Sequence, residues 1–149
     1  MKSFVNEEIE LEQILPFSPN LVFHALTAEA GHWWNHRFRE GSTVGFEPRI
    51  GGRFYEDFGG GSAALYAVVE AIDPPARLVL RGAMGMDGAV VSVMVFDITE
   101  EGGGARLSLR HSIIGNLEEG TVDEYREGWR EIFGKVLPGW LASKHVSAA

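Results

Sequence analysis

Histidine and tryptophan carry most of the chemistry open to this chain, which has no cysteine. In "TAEAGHWWNHRF", Thr27 to Phe38, His32 and His36 stand four residues apart around the pair Trp33 and Trp34. Two histidines at that spacing share a face where a helix continues, and they could supply two corners of a tetrahedral zinc site. The zinc-protease pattern has Glu directly after its first His, where this chain has Trp33, and no third ligand is identifiable. No metal is therefore expected. His111 closes the alternating run "ARLSLRH", in which Leu107, Leu109 and His111 share one face and Arg106, Ser108 and Arg110 the other. An imidazole on the covered face of a sheet can anchor a ligand atom or move a proton near neutral pH. Tyr66, Tyr125 and Arg49 are its candidate companions. A histidine hydrogen-bonded within the core is the simpler account.

Other reactive arrangements are missing. No G-x-S-x-G elbow occurs, and no thiol nucleophile exists. "EPRIGGRF" has the glycines of an anion cradle without a following helix, so Glu47, Arg49 and Arg53 read as solvated charges around a hairpin. The pairs Glu56-Asp57 and Glu118-Glu119 read as a solvated turn and a helix start, not as opposed catalytic carboxylates.

The elements that must position these residues follow from hydrophobic period. "FVNEEIELEQIL" alternates Ile9 and Leu11 with glutamates, the pattern of a half-buried strand. Ser18 and Pro19 open a short helix in which Val22, Phe23 and Leu26 share a face. Thr27 is expected to cap a second short helix that carries the chain to the tryptophans. Six strands follow, with turns at Gly51-Gly52, Asp73-Pro74-Pro75-Ala76 and Glu101 to Gly104. Pro48 belongs at an edge or strand end. From Glu119 to Lys144, Val122, Tyr125, Trp129, Ile132, Phe133, Val136 and Trp140 form an apolar stripe on a helix of about 39 Å. Gly128 and Gly134 either bring this helix close to the sheet or leave room beneath it, and Pro138 should kink or shorten its last turn. The pattern implies an α+β fold: a seven-stranded antiparallel sheet around one long C-terminal helix, with two short helices between strands 1 and 2.

Composition bounds the partners. A length of 149 residues implies one domain, 1–149, with no repeat or linker. A net charge of -8 argues against nucleic acid, which needs clustered cations. The opening "MKSFVNEEIELEQ" lacks an apolar signal core, and no apolar run reaches membrane-spanning length, so a cytoplasmic protein without membrane insertion is expected. No sequence feature points to a homodimer, which stays open.

The segments "SPNLVFHALT", "HWW", "FEPRIGGRFYE", "VVEAIDPPARLVL", "VFDITEEGGGARLSLRH" and "YREGWREIF", in this order, resemble the START-like helix-grip superfamily (SRPBCC). The resembling branch is AHSA1-like, the homologues of the activator of Hsp90 ATPase. Phe17, Ala67 and Ala105 depart from the family's usual residues. The resemblance implies a helix-grip fold with a cavity between sheet and C-terminal helix, entered near the short helices. It implies a hydrophobic or aromatic small-molecule ligand, and no cofactor. The residues expected to line the cavity are Trp34, Tyr66, Met84, Met94, Phe96, His111, Tyr125, Trp129 and Phe133, and which of Trp33 and Trp34 faces it is left open. Two further readings stand beside simple binding. One is a cyclase- or hydratase-type enzyme with His111 as acid or base. The other is a partner of an Hsp90-type chaperone.

Overall fold

A computed structural model describes residues 1–147, so the last two positions of the expected domain lie outside the described residues. The chain runs β1 (Lys2–Leu15), α1 (Pro19–Leu26), α2 (Ala30–Trp33), β2 (Thr43–Phe46), β3 (Arg53–Gly59), β4 (Ser62–Asp73), β5 (Arg77–Arg81), β6 (Val90–Glu101) and β7 (Gly104–Glu118). A C-terminal helix follows: α3 (Thr121–Glu131), a π turn (Ile132–Val136) and α4 (Leu137–Lys144). The seven strands form one antiparallel sheet in the order β1-β7-β6-β5-β4-β3-β2. This is the expected helix-grip architecture. The crossover from β1 to β2 through α1 and α2 carries the chain from one edge of the sheet to the other.

Alternation decides which face is covered. Ile9, Leu107, Leu109, His111, Met94 and Phe96 are buried under the helix, while Glu8, Glu10 and Arg110 stay exposed. Register sets His111 opposite Ile9 of β1 and Met94 of β6, in the middle of the covered face.

Local signals place the helices with two corrections. Ser18 caps α1 as expected, its Oγ accepting from the Leu21 amide at 3.3 Å. Thr27 does not cap α2. It ends α1, where its hydroxyl donates to the Phe23 carbonyl at 2.8 Å, and the N-cap position of α2 is Glu29, which makes no side-chain cap bond. A hydroxyl one turn beyond a helical carbonyl finds that acceptor first. α2 then lies hard against β2: a Cβ on Gly31 would sit 2.2 Å from the Val44 carbonyl oxygen. The long helix begins at Thr121 instead of Glu119, because Gly120 turns the chain at φ +88°.

Pro138 does not shorten the helix. The preceding turn widens, so that the Leu137 amide reaches the Ile132 carbonyl five residues back. The helix then continues to Lys144 through a residue that has no amide proton to offer. Neither Gly128 nor Gly134 makes a close approach to the sheet. Gly134 faces open space, and Gly128 faces the ring of His36, 3.4 Å from where its Cβ would be.

Candidate ligand cleft

Adjacent residues cannot aim two indoles in one direction, and α2 ends between them. Trp33 is the last helical residue and turns back under α1, donating its Nε1–H to the Ala25 carbonyl at 2.8 Å. Trp34 is already extended, and it points forward between the sheet and α3. Its ring meets Phe54 at 5.0 Å, Tyr66 at 5.8 Å and Trp129 at 5.9 Å. Edge-to-face and tilted pairs at these distances are the favourable aromatic geometries. The question of which tryptophan faces the cleft is answered by the backbone change at α2's last residue.

The cleft itself has a volume of about 210 Å³. Its walls are Trp34, Tyr66 and Met84 from the sheet side and Tyr125, Trp129 and Ile132 from the helix. His36, Phe38, Gly85, Glu124 and Gly128 surround the mouth. Phe38 lies over Tyr66, ring planes 16° apart, with half of its own surface still exposed. A second, smaller space of about 20 Å³ is lined by buried residues that include Phe96, Leu78 and Phe54. Trp34 and Trp129 border both spaces and so form the partition between them.

The nine residues expected to line a cavity therefore divide. Trp34, Tyr66, Met84, Tyr125 and Trp129 come together around the cleft. Phe96 borders only the inner void, while Met94 and Phe133 are packed in the core. His111 sits behind Trp129, wholly buried. Arg49, considered as its companion, lies on the exposed β2–β3 loop beside Glu47. His32 and His36 do not converge: His32 stacks on Trp140 at 5.3 Å, and His36 lies at the cleft mouth.

The state of His111 follows from its partner. The indole of Trp129 only donates, and it donates to His111 Nδ1 at 3.0 Å. Nδ1 must then carry a lone pair, which puts the proton of the neutral ring on Nε2. Burial favours this neutral form and lowers the pKa to about 4. Nε2 is itself buried and has no hydrogen-bond partner. Both nitrogens are thus unsuited to accepting a proton, and the ring acts as a fixed support for Trp129.

The sequence reading missed Glu56. Its pairing with Asp57 reads as a solvated turn, but it lies inside β3 with no exposed surface. Its carboxylate accepts from the Phe38 amide at 2.8 Å, the Arg39 amide at 3.0 Å, Ser42 Oγ at 2.7 Å and the hydroxyl of Tyr66. Burial alone would raise its pKa, but these four donors, Tyr66 first, outweigh it and hold the group at about 2. The loop from Asn35 to Ser42 is thereby tied to the sheet. Arg37 ties it from the other side, donating to the carbonyls of Trp34, Gly31 and Ser42. The available signal was alternation: Phe54, Glu56 and Phe58 share one face of β3. Arg37 had no such signal.

Tyr66 donates to Glu56, and burial together with that carboxylate pushes its own pKa well above the usual phenol value. Tyr125 donates to the Met84 carbonyl at 2.8 Å, and burial raises it to about 12. Met84 holds that carbonyl in place from a left-handed backbone at φ +52°, rare outside glycine.

An open antiparallel sheet gripping a C-terminal helix, with a cleft at the short-helix end, defines the helix-grip class. Residues 16–141 match the family described as activator of Hsp90 ATPase homolog 1-like protein, and the chain belongs to that family, within the SRPBCC superfamily. No curated protein matches the chain. Among solved structures it is similar to the Mll3558 protein from Rhizobium loti, at 24% identity and a TM-score of 0.70 over 92% of this chain and 98% of that one. It is similar to Ara h 8.0201, at 14% identity and 0.68 over 94% and 100%. CalU16 from Micromonospora echinospora gives 20% identity and 0.65 over 97% and 86%. At these identities the likeness shows the fold alone. No helix among the described residues is long and apolar enough to cross a membrane.

Proposed function

We propose that this chain is a binding protein for a small apolar or aromatic molecule, held between α3 and the sheet without chemical change. The observation that carries the reading is the 210 Å³ cleft with aromatic walls, open beside Phe38 and Gly128. An apolar cavity of about 150 Å³ accepts benzene, so this one has room for a ring and a short chain. The cyclase or hydratase reading is disfavoured by His111. Its Nδ1 lone pair is engaged by Trp129, its Nε2 carries the proton, and it does not reach the cleft wall. The lack of cysteine suits a cytoplasmic setting.

The test is a cavity-filling variant. Gly128→Leu directs its side chain toward the mouth beside His36 and also improves helix propensity. In thermal melts against a panel of single-ring aromatics, the wild type should gain several degrees with its best compounds. Gly128→Leu should melt no lower than wild type and lose that gain. Equal gains in both proteins, or none in either, would reject the cleft as the site. The family description also names an Hsp90 activator; a stable complex with an Hsp90-type chaperone, unchanged by Gly128→Leu, would move the function to a surface instead.

A further inference from the structure

Most side-chain donors around the cleft can be followed to an acceptor. The Tyr66 proton goes to Glu56, the Tyr125 proton to the Met84 carbonyl, and the Trp129 N–H to His111. Arg37 is engaged by three carbonyls behind Trp34. The Trp34 N–H is directed toward the Tyr66 oxygen without meeting hydrogen-bond geometry, and it is closed off from solvent. Only the His36 ring, exposed at the mouth, keeps a side-chain donor at the cleft.

The groups left for a guest are of the opposite kind. A tyrosine oxygen whose proton is engaged presents lone pairs. The faces of Trp34, Trp129 and Phe38 carry the negative side of the ring quadrupole. At the mouth stands Glu124, the one carboxylate lining the cleft, where no Lys or Arg takes part. Its neighbours are neutralised, Asp123 by Arg126 and Glu127 by Arg130, whereas among the described residues Glu124 pairs with no cation. The chain as a whole is negative by eight charges. Lone pairs, π faces and an unpaired carboxylate all attract positive charge and N–H donors.

We infer that the preferred ligand is an aryl-alkyl ammonium: one aromatic ring among Trp34, Tyr66 and Trp129, joined by a short chain to a protonated amine near Glu124. The inference rests on the proposed cleft and adds the charge of its occupant. A neutral alcohol of the same shape meets the same walls but lacks the charge, and a carboxylate meets an acceptor-lined site with its own acceptors.

The experiment uses the whole chain and three probes of one shape: 2-phenylethylamine, 2-phenylethanol and phenylacetate. Affinities are read by calorimetry and tryptophan fluorescence at pH 7 and low salt. The amine should bind at least tenfold tighter than the alcohol, with phenylacetate weakest, and the advantage should shrink in 0.5 M salt. In Glu124→Gln the ratio of amine to alcohol should fall below threefold. An alcohol that binds as tightly as the amine overturns the inference and leaves the cleft standing as an apolar site. A ratio unmoved by Glu124→Gln overturns the role of that carboxylate. Failure of all three probes, with the aromatic panel also silent, rejects both the charge preference and the cleft.

Discussion

One helix covers two different interiors. Under α3, the cleft keeps about 210 Å³ open between Tyr125, Trp129 and the sheet. One to three turns later Phe133, Leu137 and Leu141 are all at most 2% exposed and border neither the cleft nor the inner void. The stripe of apolar residues runs through both halves at the same period. What differs is side-chain shape and attachment. The open half has large rings held rigid by hydrogen bonds at their polar tips, Tyr125 to Met84 and Trp129 to His111. Rings fixed in this way cannot swing in to fill the gap. The closed half has branched aliphatic chains and Phe133 without such tethers, and they pack to the density of a core.

The largest expected effect separates the halves directly. Phe133→Ala removes a ring from the filled region and should cost about 3–5 kcal/mol in urea unfolding. Tyr125→Phe in the open half loses one hydrogen bond, an effect of about 1 kcal/mol. Comparable losses at the two positions would show that the two interiors are packed alike, and the contrast would disappear.

Acid separates the tethers of the two sides of the cleft. His111 titrates in the unfolded chain near 6.5 but at about 4 when folded, so the unfolded state takes the proton first. Its contribution is complete above pH 6.5 and declines as pH falls from 6.5 to 4, by up to about 1.4 kcal/mol per unit. Glu56 is an acid with a lowered pKa, about 2 against 4.5. Its contribution is present above 4.5 and is lost as pH falls from 4.5 toward 2. His111→Gln, which keeps an acceptor for Trp129, should flatten the upper window only. Glu56→Gln should cost about 2 kcal/mol at neutral pH and flatten the lower one. Urea midpoints at pH 7, 5 and 3 distinguish the two; a single transition that both variants shift equally would mean the groups are not separate supports.

Much of this was legible in the sequence, for physical reasons that differ by residue. Strand alternation placed Leu107, Leu109 and His111 on the covered face, because a period of two leaves no choice once one face is apolar. Helical period placed Tyr125 and Trp129 over the sheet. The same logic applied to Phe54, Glu56 and Phe58 points Glu56 inward, yet a glutamate beside an aspartate reads as solvent-facing. Its burial depends on four donors from Phe38, Arg39, Ser42 and Tyr66, which only the folded loop assembles. Phe133 carries the same helix-face label as Trp129, while Met84, in the β5–β6 turn, carries no face label at all. Period assigns a face, but position along the helix decides whether that face meets a cleft or a filled core.

The smallest effect gives the finest test of the contrast, because it holds chemistry constant. Gly128 and Gly134 lie on the same helix, and Ala at either position gains up to about 1 kcal/mol of propensity. At Gly134 the new methyl meets open space, so Gly134→Ala should stabilise without touching ligand affinity. At Gly128 the methyl arrives 3.4 Å from the His36 ring, at the mouth of the cleft. Gly128→Ala should give a similar or smaller gain in melting temperature and a twofold to fivefold weaker affinity for a single-ring ligand. Matched gains with affinity falling only in Gly128→Ala would place the binding effect in the space beneath α3, apart from helix stability. A loss of affinity in both variants would instead make it a property of the whole helix, and the division into open and closed halves would carry no functional meaning.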